Sequence, residues 1–273
     1  MKIFYTVNGI VVEKKEGQFL FESDWNAFIN NDNLLATIQS KTGRSTKLED
    51  HQLLPPIANQ ELWACGVTYL KSKVGRQEES KSAGGGDFYG RVYDAERPEV
   101  FFKSTPQRVV GQGGTVRIRK DSTWNVPEPE LTLMVSSSGK IIGYTIGNDM
   151  SSRSIEGENP LYLPQAKTYD GCAAIGPCIY VPETPFDRGT QIELEIVRRG
   201  KTAFKESIAI SQMKRSLEEL VSFVYRECSF PVGCLIMTGT GIVPPSDFTL
   251  NPEDEIKIKI DPIGTLVNVV GKI

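Results

Sequence analysis

Apolar and polar positions alternate along residues 2 to 22, the period of a half-buried strand. Val7-Asn8-Gly9 and Lys15-Glu16-Gly17 interrupt that stretch with turn residues, which predicts a small β-meander. Shorter helical patterns follow. Ser23 stands where an N-cap precedes Trp25 and Phe28, and Leu34, Leu35 and Ile38 form a second apolar patch. The paired prolines of Leu53-Leu54-Pro55-Pro56-Ile57 favour extended backbone and read as a linker. Residues 1–58 are therefore expected to form a small N-terminal α+β domain and residues 59–273 a larger, β-rich one. Leu62 to Val67 predicts a buried strand, and the polar stretch from Lys71 to Ser82 a helix that gives out in a flexible Gly84-Gly85-Gly86 connection. Short β runs continue at 99–103, 115–119, 175–181, 191–198, 202–208, 235–238, 255–260 and 266–270, with turn signals between them. Met213, Leu217, Leu220, Val221 and Val224 fall at helical spacing and predict one amphipathic helix with a core-facing stripe.

Composition narrows the chemistry more than the fold. A formal charge of −3 without any Lys/Arg block argues against nucleic acid or an anionic membrane as partner. No apolar stretch approaches the roughly 18 residues of a membrane span, and Met1 to Tyr5 lead into strand-like alternation instead of a signal peptide. A cytoplasmic location is expected. Cys65, Cys172, Cys178, Cys228 and Cys234 are an odd set without CxxC spacing, so reduced thiols are expected, not a disulfide frame or a zinc site. His51 is the one histidine and sits beside the Pro-rich linker, which disfavours Ser-His-Asp hydrolysis and histidine acid/base catalysis. Proton transfer would fall to Lys, Glu, Asp or Tyr, or to water activated by a metal. Gly84-Gly85-Gly86 lacks the Lys-Ser/Thr of a P-loop, and no GxGxxG lies between a strand and a helix.

One motif carries candidate chemistry. In Val126-Pro127-Glu128-Pro129-Glu130-Leu131 the two glutamates are two residues apart, so on a strand they share a face with Cα atoms about 7 Å apart. Ser136-Ser137-Ser138-Gly139 reads as a hairpin turn, and the following strand would bring Asp149 of Gly147-Asn148-Asp149 alongside. Three carboxylates suit a hard cation such as Mg²⁺, Mn²⁺ or Ca²⁺. The spacing alone fits equally well with solvated strand carboxylates and with Asp149 as the N-cap of a helix begun by Ser151-Ser152-Arg153.

These segments together resemble the fumarylacetoacetate hydrolase family over essentially the whole chain. The resemblance rests on the Glu-x-Glu strand, the Gly-Asn-Asp, Gln165-Ala166-Lys167 with Gly171, Arg97-Pro98-Glu99-Val100-Phe101-Phe102-Lys103, and Thr238-Gly239-Thr240, in that family's order. It implies an α+β fold with a β-rich catalytic domain and a smaller N-terminal domain, assembled as a homodimer or homotetramer. It also implies that Glu128, Glu130 and Asp149 hold a divalent ion, usually Mg²⁺. By the same resemblance Lys167 is the candidate base and Glu99 the candidate acid, with Lys103, Thr238, Gly239 and Thr240 meeting a 2-keto acid substrate. Lys167 is expected to have its pKa lowered by desolvation and neighbouring cationic charge. The longer runs 92–99, 125–131 and 155–167 look like the family's dehydratase branch, which implies a lyase converting a 2-keto-3-deoxy sugar acid, such as 2-keto-3-deoxy-D-arabinonate, to 2,5-dioxopentanoate. Hydrolases of the family commonly carry Gly-x-Asn-Tyr-x-x-His, whereas this chain has Ser72 in the histidine's place, with Glu78 and Glu79 further along the same predicted helix. That departure disfavours the alternative C–C hydrolase of an acylpyruvate or diketo acid; oxaloacetate decarboxylation at the same metal is the other alternative.

Overall fold

The computed structural model describes residues 1–79 and 86–271. The chain opens with the expected meander, β1 (Lys2–Thr6), β2 (Gly9–Lys14) and β3 (Gly17–Phe21), paired antiparallel in sequence. Gly9 is obligatory at the first turn: its φ is +129°, and a Cβ there would lie 2.8 Å from the carbonyl oxygen of Phe21. Helix α1 (Trp25–Ile29) is capped by Asp24, not Ser23, because the Asp24 carboxylate reaches the Ala27 N–H at 2.9 Å. Helix α2 (Leu34–Ser40) and the short β4 (Arg44–Ser45) follow, then β5 (Glu61–Gly66).

Helix α3 (Leu70–Glu79) occupies most of the polar stretch predicted to be helical. Residues 80–85, including Ser82, Gly84 and Gly85 of the predicted helix end and connection, lie outside the described residues; Gly86 belongs instead to the next helix, α4 (Gly86–Asp94). Strands β6 (Glu99–Ser104), β7 (Val109–Val110) and β8 (Thr115–Val116) lead to the long hairpin of β9 (Asn125–Val135) and β10 (Ile141–Ser152). The run at 115–119 therefore keeps only two strand residues. After α5 (Arg153–Glu158) and α6 (Leu163–Lys167) come β11 (Ala173–Tyr180), β12 (Gln191–Arg198) and β13 (Lys201–Ala209). Helix α7 (Leu217–Tyr225) starts after Met213, whose side chain still joins the core. Strands β14 (Cys234–Met237), β15 (Glu255–Ile260) and β16 (Gly264–Val270) complete the chain.

Among the described residues these strands form two sheets. The larger runs β4-β3-β2-β1-β11-β10-β9-β14-β5-β6, with β7 beside β11; the smaller runs β13-β12-β15-β16-β8. Because β1 pairs with β11, the N-terminal meander extends the same sheet that carries the hairpin, and hydrogen bonding is continuous across residue 58. The linker itself is tied to β1 through the Leu54 N–H and the Tyr5 carbonyl at 2.8 Å.

Alternation along β9 and β10 sorts the core. Leu131, Leu133, Val135 and Ile146 share one apolar cluster with Ile192, Ile196, Ile256 and Ile258 of the smaller sheet. Met134, of opposite parity on β9, and Ile142, which lies beyond Ile146 at a register irregularity between Ile141 and Gly143, join Trp25, Phe28, Leu34 and Ile38 of α1 and α2. Each such fully buried side chain contributes about 1.5–3 kcal/mol relative to exposure. Strand β14 covers β9 only from Thr132 to Val135, so the segment with Pro127 and Pro129 pairs with β10 alone. Proline has no N–H to offer a second neighbour, and a one-sided strand tolerates it. The carboxylate-bearing half of β9 is thereby left without β14 beside it.

Candidate active site

The hairpin register brings the acidic residues together. Asp149 pairs with Glu128 and Gly147 with Glu130, which places the three carboxylates on one face with ligand oxygens within 4.8 Å of one another. All three are buried. Asp149 lies within β10 and caps nothing; the N-cap of α5 is Ser152, which accepts from the Ile155 N–H. The helix-cap reading of Asp149 is thus excluded, and so is the reading of these groups as solvated.

Their surroundings supply positive charge unevenly. Lys167, the last residue of α6, donates to Glu128 Oε2 at 2.6 Å, to Asp149 Oδ2 at 2.9 Å and to Ser151 Oγ. Arg76 of α3 and Arg153 of α5 stand 3.7 and 3.8 Å from Glu128 Oε1, and Arg76 also pairs with buried Glu156. Burial alone would raise the pKa of Glu128, but Lys167, Arg76 and Arg153 bring it down to about 2. Glu130 is the contrast. Among the described residues it has no cationic ion-pair partner; it accepts only the Gly239 N–H, at 2.6 Å. Burial, then Asp149 and Glu128, push its pKa well above the ordinary carboxylate range. A buried carboxylate in this position calls for a cation, and an all-oxygen set of three carboxylates fits a hard divalent ion.

The expectation of a lowered Lys167 pKa is not met by the protein groups alone. Burial works in that direction, yet Asp149 and Glu128 outweigh it and the pKa is raised. Glu99 lies at the start of β6 against Gly66, with Oε2 buried and without a hydrogen-bond partner. Burial first, with Glu128 and Asp149 adding to it, raises its pKa and favours the protonated acid.

The other expected residues separate. Gly239 and Thr240 line the small cavity in front of the carboxylates, together with Ser72, Gly75, Arg76 and Phe101. Gly239 has φ +93°, and a Cβ there would run into Thr68 Oγ1. Its N–H is spent on Glu130. Thr238 does not line the cavity: its hydroxyl donates to the Leu131 carbonyl at 2.8 Å. Lys103 does not line it either, and faces Asp149 from behind. Ser72 does, but its hydroxyl donates to the Tyr69 carbonyl at 2.7 Å. Glu78 is exposed on the outer side of α3, and the Glu79 side chain lies outside the described residues. Sequence reasoning missed Arg76, Arg153 and Glu156. Arg153 and Glu156 are one helical turn apart directly after Asp149, a spacing that could have suggested a shared face; Arg76 carried no such signal.

The family described as Fumarylacetoacetate (FAA) hydrolase C-terminal matches residues 78–271. The chain belongs to the fumarylacetoacetate hydrolase family. Within it, the chain is 48% identical over 222 residues to a Haloferax volcanii protein named "Probable 2-keto-3-deoxyxylonate dehydratase", covering 81% of this chain and 75% of that one. It is 42% identical over 233 residues to the 2-dehydro-3-deoxy-D-arabinonate dehydratase of Saccharolobus solfataricus, covering 84% and 78%. A solved structure described as 2-keto-3-deoxy-D-arabinonate dehydratase complexed with magnesium and 2,5-dioxopentanoate superposes with a TM-score of 0.85 at 35% identity, covering 100% of this chain and 99% of that one. The fumarylacetoacetate hydrolase fold of these structures is the sheet-rich architecture described above.

Proposed function

We propose that this protein is a Mg²⁺-dependent hydro-lyase that dehydrates a 2-keto-3-deoxy pentonate to 2,5-dioxopentanoate. The observation that carries the reading is the buried Glu128–Glu130–Asp149 cluster with Lys167 bonded to two of its members; the named relatives give the substrate class. The D-arabinonate- and D-xylonate-derived acids are one compound, because C2 is a ketone, C3 a methylene, and C4 alone keeps its configuration. Glu128, Glu130 and Asp149 would hold the cation, which supplies Lewis acidity at a keto oxygen and so acidifies the neighbouring C3 protons.

Lys167 is the base. Glu128 and Asp149 hold it charged; with a cation bound by those carboxylates its pKa would fall, so that Lys167 would release a proton to solvent and its neutral amine would take one from C3. Glu99, whose pKa burial raises, delivers a proton to the C4 hydroxyl as the C–O bond breaks, and water departs. The C3=C4 product then tautomerises: C5 gives up its C–H and O–H protons, and C3 and C4 each gain one. Gly239 fixes Glu130 through its N–H, and Thr240 lies at the substrate side of that loop. The cavity encloses only about 10 Å³, space for one water. A five-carbon acid exceeds that space, so its admission requires the cavity wall, which includes Ser72, Gly75 and Arg76 of α3, to open.

The same reading takes residues 1–58 as a small N-terminal unit on a catalytic unit of 59–273, a cytoplasmic location, and a homodimer or homotetramer. Among the described residues no helix is long and apolar enough to cross a membrane. Leu161, 83% exposed, and Phe88, 63% exposed, are apolar side chains that a subunit contact would cover; light scattering measures the assembly. The activity is tested by supplying Mg²⁺ and 2-keto-3-deoxy-D-arabinonate and coupling the product to an NADP-dependent semialdehyde dehydrogenase. Turnover lost on Glu128→Gln, Glu130→Gln substitution supports the reading. No turnover by the wild type, with release of CO₂ from oxaloacetate or cleavage of an acylpyruvate instead, removes it.

A further inference from the structure

Lys103 has no role left for a ligand to use. It sits on β6 with 0% exposure, and an ammonium has three N–H donors. Three protein oxygens face its Nζ: Asp149 Oδ1, an ion pair at 2.6 Å, the Met150 carbonyl, which accepts a hydrogen bond at 3.0 Å, and the Lys167 carbonyl, which accepts another. The first two are consecutive residues of β10. The third terminates α6, where carbonyls lack intrahelical partners and favour a cation. The backbone of Lys103 grips the same segment, its carbonyl accepting from Thr168 Oγ1 at 3.1 Å.

We propose that Lys103 is a positioning residue that ties the cation-binding carboxylate of Asp149 to the helix end bearing Lys167. With Oδ1 held by Lys103, the carboxylate of Asp149 cannot rotate freely, and Oδ2 is directed to Lys167 at 2.9 Å. One buried ammonium thus fixes both the ligand geometry and the placement of the base. Lys103 is a support for the site and makes no contact with substrate. This inference rests on the reading of Asp149 as a ligand of a divalent cation.

The test uses the full chain, stripped of metal, as wild type, Lys103→Met and Lys103→Gln. Each is titrated with Mg²⁺ by calorimetry and with Mn²⁺ by electron paramagnetic resonance, with melting temperature, kcat and KM measured in parallel. Loss of a group that orients a metal ligand weakens metal affinity by about 10–100-fold. That weakening is expected in both variants, with kcat lowered at saturating Mg²⁺ and KM changed by less than about 3-fold. Should Met not fold, Gln, which can still donate to the two carbonyls, is read in the same way. Wild-type metal affinity in a folded variant overturns the inference: with a raised KM it makes Lys103 a substrate contact, and with a lower melting temperature alone it makes Lys103 a packing residue. A wild type that binds neither metal overturns the underlying cation reading instead.

Discussion

The two faces of the β9–β10 hairpin are made from alternating residues of the same strands and have opposite character. One face, with Leu131, Leu133, Val135 and Ile146, is packed into apolar surroundings shared with the smaller sheet. The other carries Glu128, Glu130 and Asp149, buried as deeply, with four cations from β6, α3, α5 and α6 paired to Glu128 and Asp149. Burial is equal, so burial does not explain the difference. Charges in such a place are stabilised less well than packed apolar groups of similar size, and the apolar face supplies the rigidity that keeps them apart at ligand spacing. Stability and chemistry lie back to back across one pleat, which makes neighbouring residues predictably different.

The widest separation is expected between Glu130 and Leu131. Glu130→Gln should abolish measurable Mg²⁺ binding by calorimetry and lower turnover by at least about 10³-fold, while the metal-free protein at neutral pH melts no lower than wild type, since a buried carboxylate without a cationic partner has been removed. A clearly lower melting temperature would mean that Glu130 is structural. Next comes Lys167→Met, for which a loss of about 10²–10⁴-fold in kcat fits the removal of a general base, with Mg²⁺ affinity equal to or better than wild type because a competitor for Glu128 and Asp149 is gone. A drop in Mg²⁺ affinity would place Lys167 among the supports of the metal instead. Leu131→Ala should reverse the pattern, costing about 2–5 kcal/mol in chemical denaturation and leaving Mg²⁺ affinity of the folded protein within about 3-fold of wild type. If Leu131→Ala weakens the metal as much as it weakens the fold, the faces are coupled and the comparison fails.

The pleat is also what made this half of the molecule legible. Period-two spacing put Glu128 and Glu130 on one face, and the hairpin turn at 136–139 made Asp149 their neighbour, so the meeting of three candidate ligands followed from local rules, while their role came from the family resemblance. The strand runs at 191–198 and 255–260 were equally plain, because Ile192, Leu194 and Ile196, like Ile256, Ile258 and Ile260, alternate strictly with charged or polar residues. What could not be read were contacts closed by tertiary packing. Arg76 meets Glu156 and Glu128 across gaps of 80 and 52 residues, and nothing local marks either pair. The resemblance to the fumarylacetoacetate hydrolase family located Lys103 and Thr238 but not their direction. Both donate inward, Lys103 to the Met150 and Lys167 carbonyls beside its ion pair with Asp149 and Thr238 to the Leu131 carbonyl, because interior carbonyls must be satisfied before any ligand arrives. The shift of Asp24 for Ser23 at the first cap is of the same kind on a small scale: both residue types cap well, and only the geometry of the turn decides.

The smallest effect expected is one of pH, and its sign separates the two glutamates. Glu128 has its pKa lowered to about 2 in the folded protein, so its stabilising contribution is present above the unfolded value of 4.5 and is lost as pH falls toward 2. Glu130 behaves oppositely. Its folded pKa lies well above 4.5, so metal-free folded protein retains a proton that the unfolded chain has released, and stability declines as pH rises through that window. A divalent cation needs Glu130 ionised, and binding therefore expels that proton. Stabilisation by Mg²⁺ should grow with pH at up to about 1.4 kcal/mol per pH unit until Glu130 ionises without help. At about 2–4 °C for each kcal/mol, the gain in melting temperature with saturating Mg²⁺ should be several degrees larger at about pH 8 than at about pH 5. Glu130→Gln should erase that pH dependence along with the gain itself. An equal gain at both pH values in the wild type would show that Glu130 is already ionised without metal, and the polar face would then carry its charges at no cost that a cation relieves.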